Sequence, residues 1–175
     1  TTVAPSKNAV YDQMQLKLTG SYADAAEIIA GTEAAKAIAP DQLKAAGLDL
    51  GAWTTPAYSA GDYTAGGSMT WTVEAGDANV FKYTIIGKIM IVTFSIITTT
   101  VGGTPDQNLN IKIPASKTAT NYTWYFCFGV DNNARTEIRF RVNGTNIEIY
   151  RNDGSNWAAS TNLTSVYGTI IFEIN

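Results

Sequence analysis

The chain has 175 residues, 45% of them apolar and only 15% charged, with a net charge of −3. That balance suits one packed domain plus a smaller appendage and argues against disorder. Histidine is absent and Cys127 is the only cysteine, which excludes His-dependent triads, His metal sites, intrachain disulfides and cysteine zinc sites.

Residues 1–51 carry four lysines against six carboxylates, and residues 52–175 eight cations against nine. Neither part has the basic excess that nucleic acid requires. The longest apolar runs are strand-sized, so membrane insertion is not expected. The chain opens on Thr1 without an initiator Met or a signal-peptide pattern, as a fragment or a processed product would.

Residues 1–51 are Ala-rich and poor in β-branched runs, and they read as a helical neck. Ser6 N-caps a helix over 7–18, with Tyr11, Met14 and Leu18 in a narrow apolar stripe that Gly20 ends. Ser21 and Asp24 form a weak capping box for a second short helix carrying Ala25, Ile28 and Ile29. Thr32 caps a third over 33–38, and Pro40 opens a fourth that stops at Gly47. At about 8–12 residues such helices reach at most the lower end of the ~12–15 residues at which isolated helices are still marginal in water. They need a partner, either the rest of the chain or copies of themselves.

From Trp53 onward the pattern has a period of two, and residues 52–175 read as a β-domain. Residues 58–67 form a Gly/Ala/Tyr loop, and 68–75 alternate with Met69, Trp71 and Val73 on one face. Residues 80–86 make a strand and 87–101 the strand around which the domain is organised. Its even members Met90, Val92, Phe94 and Ile96 face inward, while Ile89 and Ile91 give its other face an apolar start. Residues 108–113 alternate with Leu109, Ile111 and Ile113 inward until Pro114 stops them. Residues 122–130 are apolar and aromatic on both faces, with Cys127 a small buried apolar residue.

Asn143-Gly144 predicts a type I′ hairpin in which opposed positions sum to 287. Phe140 then faces Ile147, Ile138 faces Ile149, and Arg139 faces Glu148 on the outer side. A polar loop over 152–162 carries Trp157, and 167–174 close the chain with Ile170, Phe172 and Ile174 inward. Roughly eight strands without helical interludes predict an antiparallel, jelly-roll-like β-sandwich.

Two segments, VAPSKNAVYDQMQLKL (3–18) and GTEAAKAIAPDQLKAAGL (31–48), resemble phage tail-fibre shaft and tip sequences. The block GDYTAGGSMTWTVEAGDANVFKYTIIGK (61–88) and the closing YGTIIFEI (167–174) are similar to C-terminal β-domains of phage structural proteins. The resemblance implies a homotrimeric virion fibre, a shaft followed by a β-rich knob that recognises a host-surface glycan or protein. Other virion proteins would join through the N-terminal side, and no catalytic residues or cofactors are implied. The alternatives are a head fibre or capsid decoration without a receptor site, and a polysaccharide-cleaving enzyme.

Candidate binding residues are loop aromatics beside polar groups: Trp157 with Asn156 and Asp153, Asp131 with Asn132 after a strand end, and Tyr63 in the Gly-rich loop. Trp157 could instead fold back over the sandwich edge. Candidate trimer contacts are Tyr11, Met14, Leu18, Ile89 and Ile91. Glu137 and Glu148 share an outward face, but the expected Arg139 partner reads as a salt bridge rather than a glycosidase pair. The runs 131–133 and 152–153 are read as turn formers and not as Ca²⁺ ligands.

Overall fold

The computed structural model describes Ala30 and residues 52–175. The expected neck helices, with Tyr11, Met14 and Leu18, lie outside the described residues. Residues Gly51–Asn175 make one compact unit. Among the described residues nine strands run in chain order: β1 (Tyr63–Ala65), β2 (Met69–Thr72), β3 (Ala78–Ile86), β4 (Ile89–Gly103), β5 (Asn108–Lys112), β6 (Thr123–Asp131), β7 (Ala134–Asn143), β8 (Asn146–Arg151) and β9 (Ser160–Glu173). Every pairing is antiparallel.

All nine strands belong to one hydrogen-bonded sheet, in the order β1-β5-β8-β7-β6-β9-β4-β2, with β3 also on β4. The sequence predicts a jelly-roll sandwich. The described residues show a mainly β, antiparallel sheet bent into a nearly closed barrel or sandwich. β4 is its spine, with β9 along one edge and β3 followed by β2 along the other.

Strand alternation sets the core. Met90, Val92, Phe94 and Ile96 of β4 are at most 2% exposed, and Leu109, Ile111, Ile113, Ile170, Phe172 and Ile174 join them in the core from β5 and β9 and the residues that follow each. Phe94 and Phe140 pack edge to face at 5.3 Å. The alternation of β4 changes phase after Ile96. Thr98 takes a left-handed φ of 54° at a bulge, so Thr99 and Val101 turn inward in place of even members. Thr99 then accepts a hydrogen bond from Trp71 Nε1 at 2.8 Å.

The β7–β8 hairpin differs from its expected register by two residues. Opposed pairs are Val142–Ile147, Arg141–Glu148, Phe140–Ile149 and Arg139–Tyr150, so the loop is Gly144-Thr145 and not Asn143-Gly144. Only Gly144 of that pair has positive φ, as a type II′ turn demands. A shift of two preserves which side chains face inward, so the hydrophobic pattern could not choose between the two turns. The two-residue turn with positive φ at both central positions lies instead at Asn132-Asn133, between β6 and β7.

β6 and β9 pair only at Gly129–Val166 and Val130–Ser165, and beyond that corner they splay apart. A Cβ on Gly129 would come within 2.9 Å of the Ser165 carbonyl oxygen, so glycine permits the close approach. The free β9 edge is closed by three devices. Thr120 N–H donates to Glu173 O, Asn175 N–H donates to Thr118 O, and Tyr125 hydroxyl sits on the backbone of Ile171.

Candidate functional site

The expected loop site loses its aromatic ring and Asp131 to burial, while Asn132, Asp153 and Asn156 stay exposed. Trp157 is fully buried, and its Nε1 donates to Ile149 O at 3.2 Å. It therefore offers no exposed ring, a correction that follows from the large apolar area an indole can bury. Asp131 is 3% exposed and pairs with Arg151 at 2.5 Å while accepting from Ala158 N–H. The same guanidinium reaches Asp153 at 3.0 Å, and Asp153 also accepts from Ser155 N–H and Oγ. The Ser155 hydrogen bonds, with the Arg151 hydrogen bond and charge, pull the Asp153 pKa down to about 2.

Asn156 donates to Pro105 O at 3.1 Å, and Asn132 occupies a turn tip with φ of 47°. The structure thus brings Asp131 and Asp153 together on Arg151, where they fasten a loop over the end of the core. Tyr63 is not in a loop: it is in β1, 5% exposed, stacked on Tyr58 at 6.2 Å and edge-on to Trp71 at 5.7 Å. Burial, with the charge of Asp62, raises its pKa to about 12. A cleft of about 460 Å³ lies beside it, lined by Pro56, Tyr58, Phe81 and Lys82 among others.

A different surface gathers aromatic and ionic groups. The outward residues of β6 are Trp124, Phe126 and Phe128, respectively 45%, 72% and 48% exposed, with Tyr122 just before them at 68%. Register places Arg141 opposite Trp124, Arg139 opposite Phe126 and Glu137 opposite Phe128. On the next strand Glu148 lies opposite Arg141 and Tyr150 opposite Arg139; Asn110 and Asn108 of β5 extend the two rows. Each row thus runs from an aromatic through an arginine to an asparagine across four strands, with Glu148 or Tyr150 in third place.

Within this face Glu148 accepts from three donors. They are Arg141 Nε at 2.6 Å, Tyr150 hydroxyl at 2.8 Å and Asn143 Nδ2 at 2.9 Å. Burial lowers the Arg141 pKa, but the hydrogen bond and charge of Glu148 outweigh it, and the net shift is upward. Burial and the Glu148 hydrogen bond raise Tyr150 to about 12. The expected Arg139–Glu148 pair is therefore replaced by Arg141–Glu148, because the register is displaced.

Arg139 is left without a carboxylate among the described residues. Its guanidinium lies 5.4 Å from the Trp124 ring centroid and 5.7 Å from that of Tyr150, and its buried Nε has no hydrogen-bond acceptor. Beside it a cleft of about 230 Å³ is lined by Phe126, Cys127, Phe128, Glu137, Ile138 and Asn152. Asn152 Nδ2 donates to Glu137 Oε2 at 3.1 Å across that cleft. At the far end of the stripe Arg135 covers the Phe128 ring at 4.2 Å.

The sequence shows the apolar character of both faces of 122–130 but does not by itself make either a site. The usable signal is the run of aromatics at 122, 124, 126 and 128, opposite a β7 strand with arginine at 135, 139 and 141.

A second exposed patch lies on the outer side of β3, β4 and β9, where Ile86 is 40%, Ile89 40% and Ile171 51% exposed. Ile91 stands opposite Ile171 in the register and Ile86 opposite Ile89, so the isoleucines are contiguous. Among the described residues no group of three or more Cys, Asp or Glu side chains is placed to hold a metal ion. No protein-family model, curated protein or solved structure matches the chain.

Proposed function

We propose that this chain is part of a homotrimeric virion fibre, on a phage tail or head, whose β-domain attaches the particle to the host surface. The observation that carries the reading is the exposed stripe of Tyr122, Trp124, Phe126 and Phe128 beside three arginines. A domain that leaves this much aromatic area in solvent has a surface suited to a partner. Rings flanked by arginine, amide and carboxylate groups suit a glycan or a polar protein surface.

The isoleucine patch on β3, β4 and β9 supports the trimer. Ile89 and Ile91 are the expected subunit contacts, and Ile86 and Ile171 extend them. Burying an Ile-sized side chain is worth roughly 1.5–3 kcal/mol before the cost of association is subtracted. Three weak sites around one axis, repeated over several fibres, give avidity without tight single contacts. Glu148, held by three donors, and Glu137, bonded to Asn152, support binding rather than carboxylate-pair catalysis.

Light scattering behind a sizing column tests the assembly: a mass about three times 18.8 kDa is expected, and a clean monomer at micromolar concentration overturns it. Retention of the labelled protein on host cells tests attachment.

A further inference from the structure

The attachment reading leaves open what chemistry the aromatic face selects. We infer that the β6–β7–β8 face binds a carboxylated sugar of a surface polysaccharide, with Arg139 receiving the carboxylate, Phe126 the apolar ring face, and Glu137 with Asn152 the hydroxyls. The inference rests on the attachment reading and narrows it to one ligand class.

Charge complementarity is the first argument. Of the two arginines in the middle of the face, Arg141 is matched by Glu148 at 2.5 Å, whereas Arg139 has no carboxylate among the described residues. The Nε of Arg139 is buried, so a ligand arriving from solvent would meet the outer nitrogens of its guanidinium. Glu148 does not fill that need: it lies opposite Arg141 in the register and bonds Arg141, Tyr150 and Asn143. An incoming carboxylate supplies an acceptor of the charge and planar shape that a guanidinium takes.

Spacing is the second. Glu137 and Arg139 are successive outward residues of β7, so their backbones are separated by about 7 Å, two strand rises. That is the scale of one pyranose ring. The cleft of about 230 Å³ is lined by Phe126, Phe128, Glu137 and Asn152, and Phe126 stands opposite Arg139 in the register. Phe126, at 72% exposure, offers a face for the C–H side of such a ring. A neutral sugar would leave Arg139 unmatched, and a simple anion would leave the Phe126 ring uncovered.

The test uses the full chain and three probes. These are oligosaccharides of glucuronic, galacturonic or sialic acid, the same oligosaccharides with their carboxyl groups reduced to alcohols, and inorganic phosphate. Binding is read by calorimetry and by quenching of tryptophan emission. The expected result is that at least one acidic oligosaccharide binds, that carboxyl reduction weakens it tenfold or more, and that Arg139→Gln and Phe126→Ala each do the same. Equal binding of the reduced form, equal binding of phosphate, or unchanged affinity in Arg139→Gln overturns the inference. So does the absence of binding by every acidic probe at millimolar concentration.

Circular dichroism checks the fold of each variant. Should Arg139→Gln not fold, Phe126→Ala and the carboxyl-reduced probe decide the question in its place. If the protein adheres to host cells and adhesion is indifferent to acidic sugars, the inference falls and attachment stands. If it neither adheres nor trimerises, both fall.

Discussion

Tyr125 hydroxyl both donates to the carbonyl of Ile171 and accepts from its N–H, so one side chain stands in for a missing strand partner where β6 and β9 part. Removing the hydroxyl strips both groups of their partner, and water replaces it only in part. Tyr125→Phe is expected to cost about 1 kcal/mol, read as a lower urea midpoint at unchanged slope. Amide exchange at Ile171 should quicken more than that of Val92 in β4. An unchanged rate at Ile171 would show that the hydroxyl is not its partner.

The register of the β7–β8 hairpin has a direct thermodynamic test. A double-mutant cycle between Arg141 and Glu148 should return a coupling of about 1–3 kcal/mol, as expected of a hydrogen-bonded charged pair with partial solvent screening. The cycle between Arg139 and Glu148 should return far less. Reversal of that order would favour a loop at Asn143-Gly144.

Gly129 and Phe126 predict opposite outcomes three residues apart. A methyl group at Gly129 would meet the Ser165 carbonyl oxygen and Ile138 Cδ1, both at 2.9 Å, and should destabilise the domain by about 1–3 kcal/mol. Phe126→Ala, at a side chain 72% exposed, should change stability by less than about 0.5 kcal/mol. Chemical denaturation of the two variants checks both.

Tyr63 and Tyr150 are raised to about 12 from 10.0, so at pH 11 the folded chain keeps protons that the unfolded chain has lost. Stability associated with both groups is complete below pH 10 and declines as pH rises towards 12. Titration at the phenolate absorption band should show a lagging component of two tyrosines near pH 12. Tyr150→Phe should remove one of them, and an unchanged lag would contradict the environment described for Tyr150.

Ile171→Asp places a charge in the outer isoleucine patch, at a side chain 51% exposed. The trimer reading predicts that the variant keeps its circular dichroism and loses its assembled mass. Retention of the full mass would place the subunit contact elsewhere.

Much of the framework is legible as alternation. Met69, Trp71 and Val73, the even members of β4 up to Ile96, the odd members of β5 and Ile170, Phe172 and Ile174 are all buried on the side that the pattern assigns them. The phase change at Thr98 is not legible, because no glycine or proline marks the bulge. The hairpin misleads for a related reason: two turns sharing Gly144 preserve side-chain parity, and only the Arg141–Glu148–Asn143 cluster distinguishes them. For the site, a lone Trp157 among polar residues looks like a platform, although indoles are highly buried on average. The stripe on β6 is hidden by ambiguity. A strand apolar on both faces does not say which one is turned outward until its partner strand, with arginines on one side, fixes the choice.

The long β4 strand also dictates how the domain bears load. Tension drawn along β9 from Asn175 acts in shear on ten registered pairs with β4, so the hydrogen bonds share it. At the other end of the described chain the isolated Thr54–Tyr83 bridge and the Lys82–Trp53 contact are what join residues 52–54 to β3. β9 is therefore held against β4 along most of its length, whereas residues 52–54 are joined to β3 by one backbone bridge.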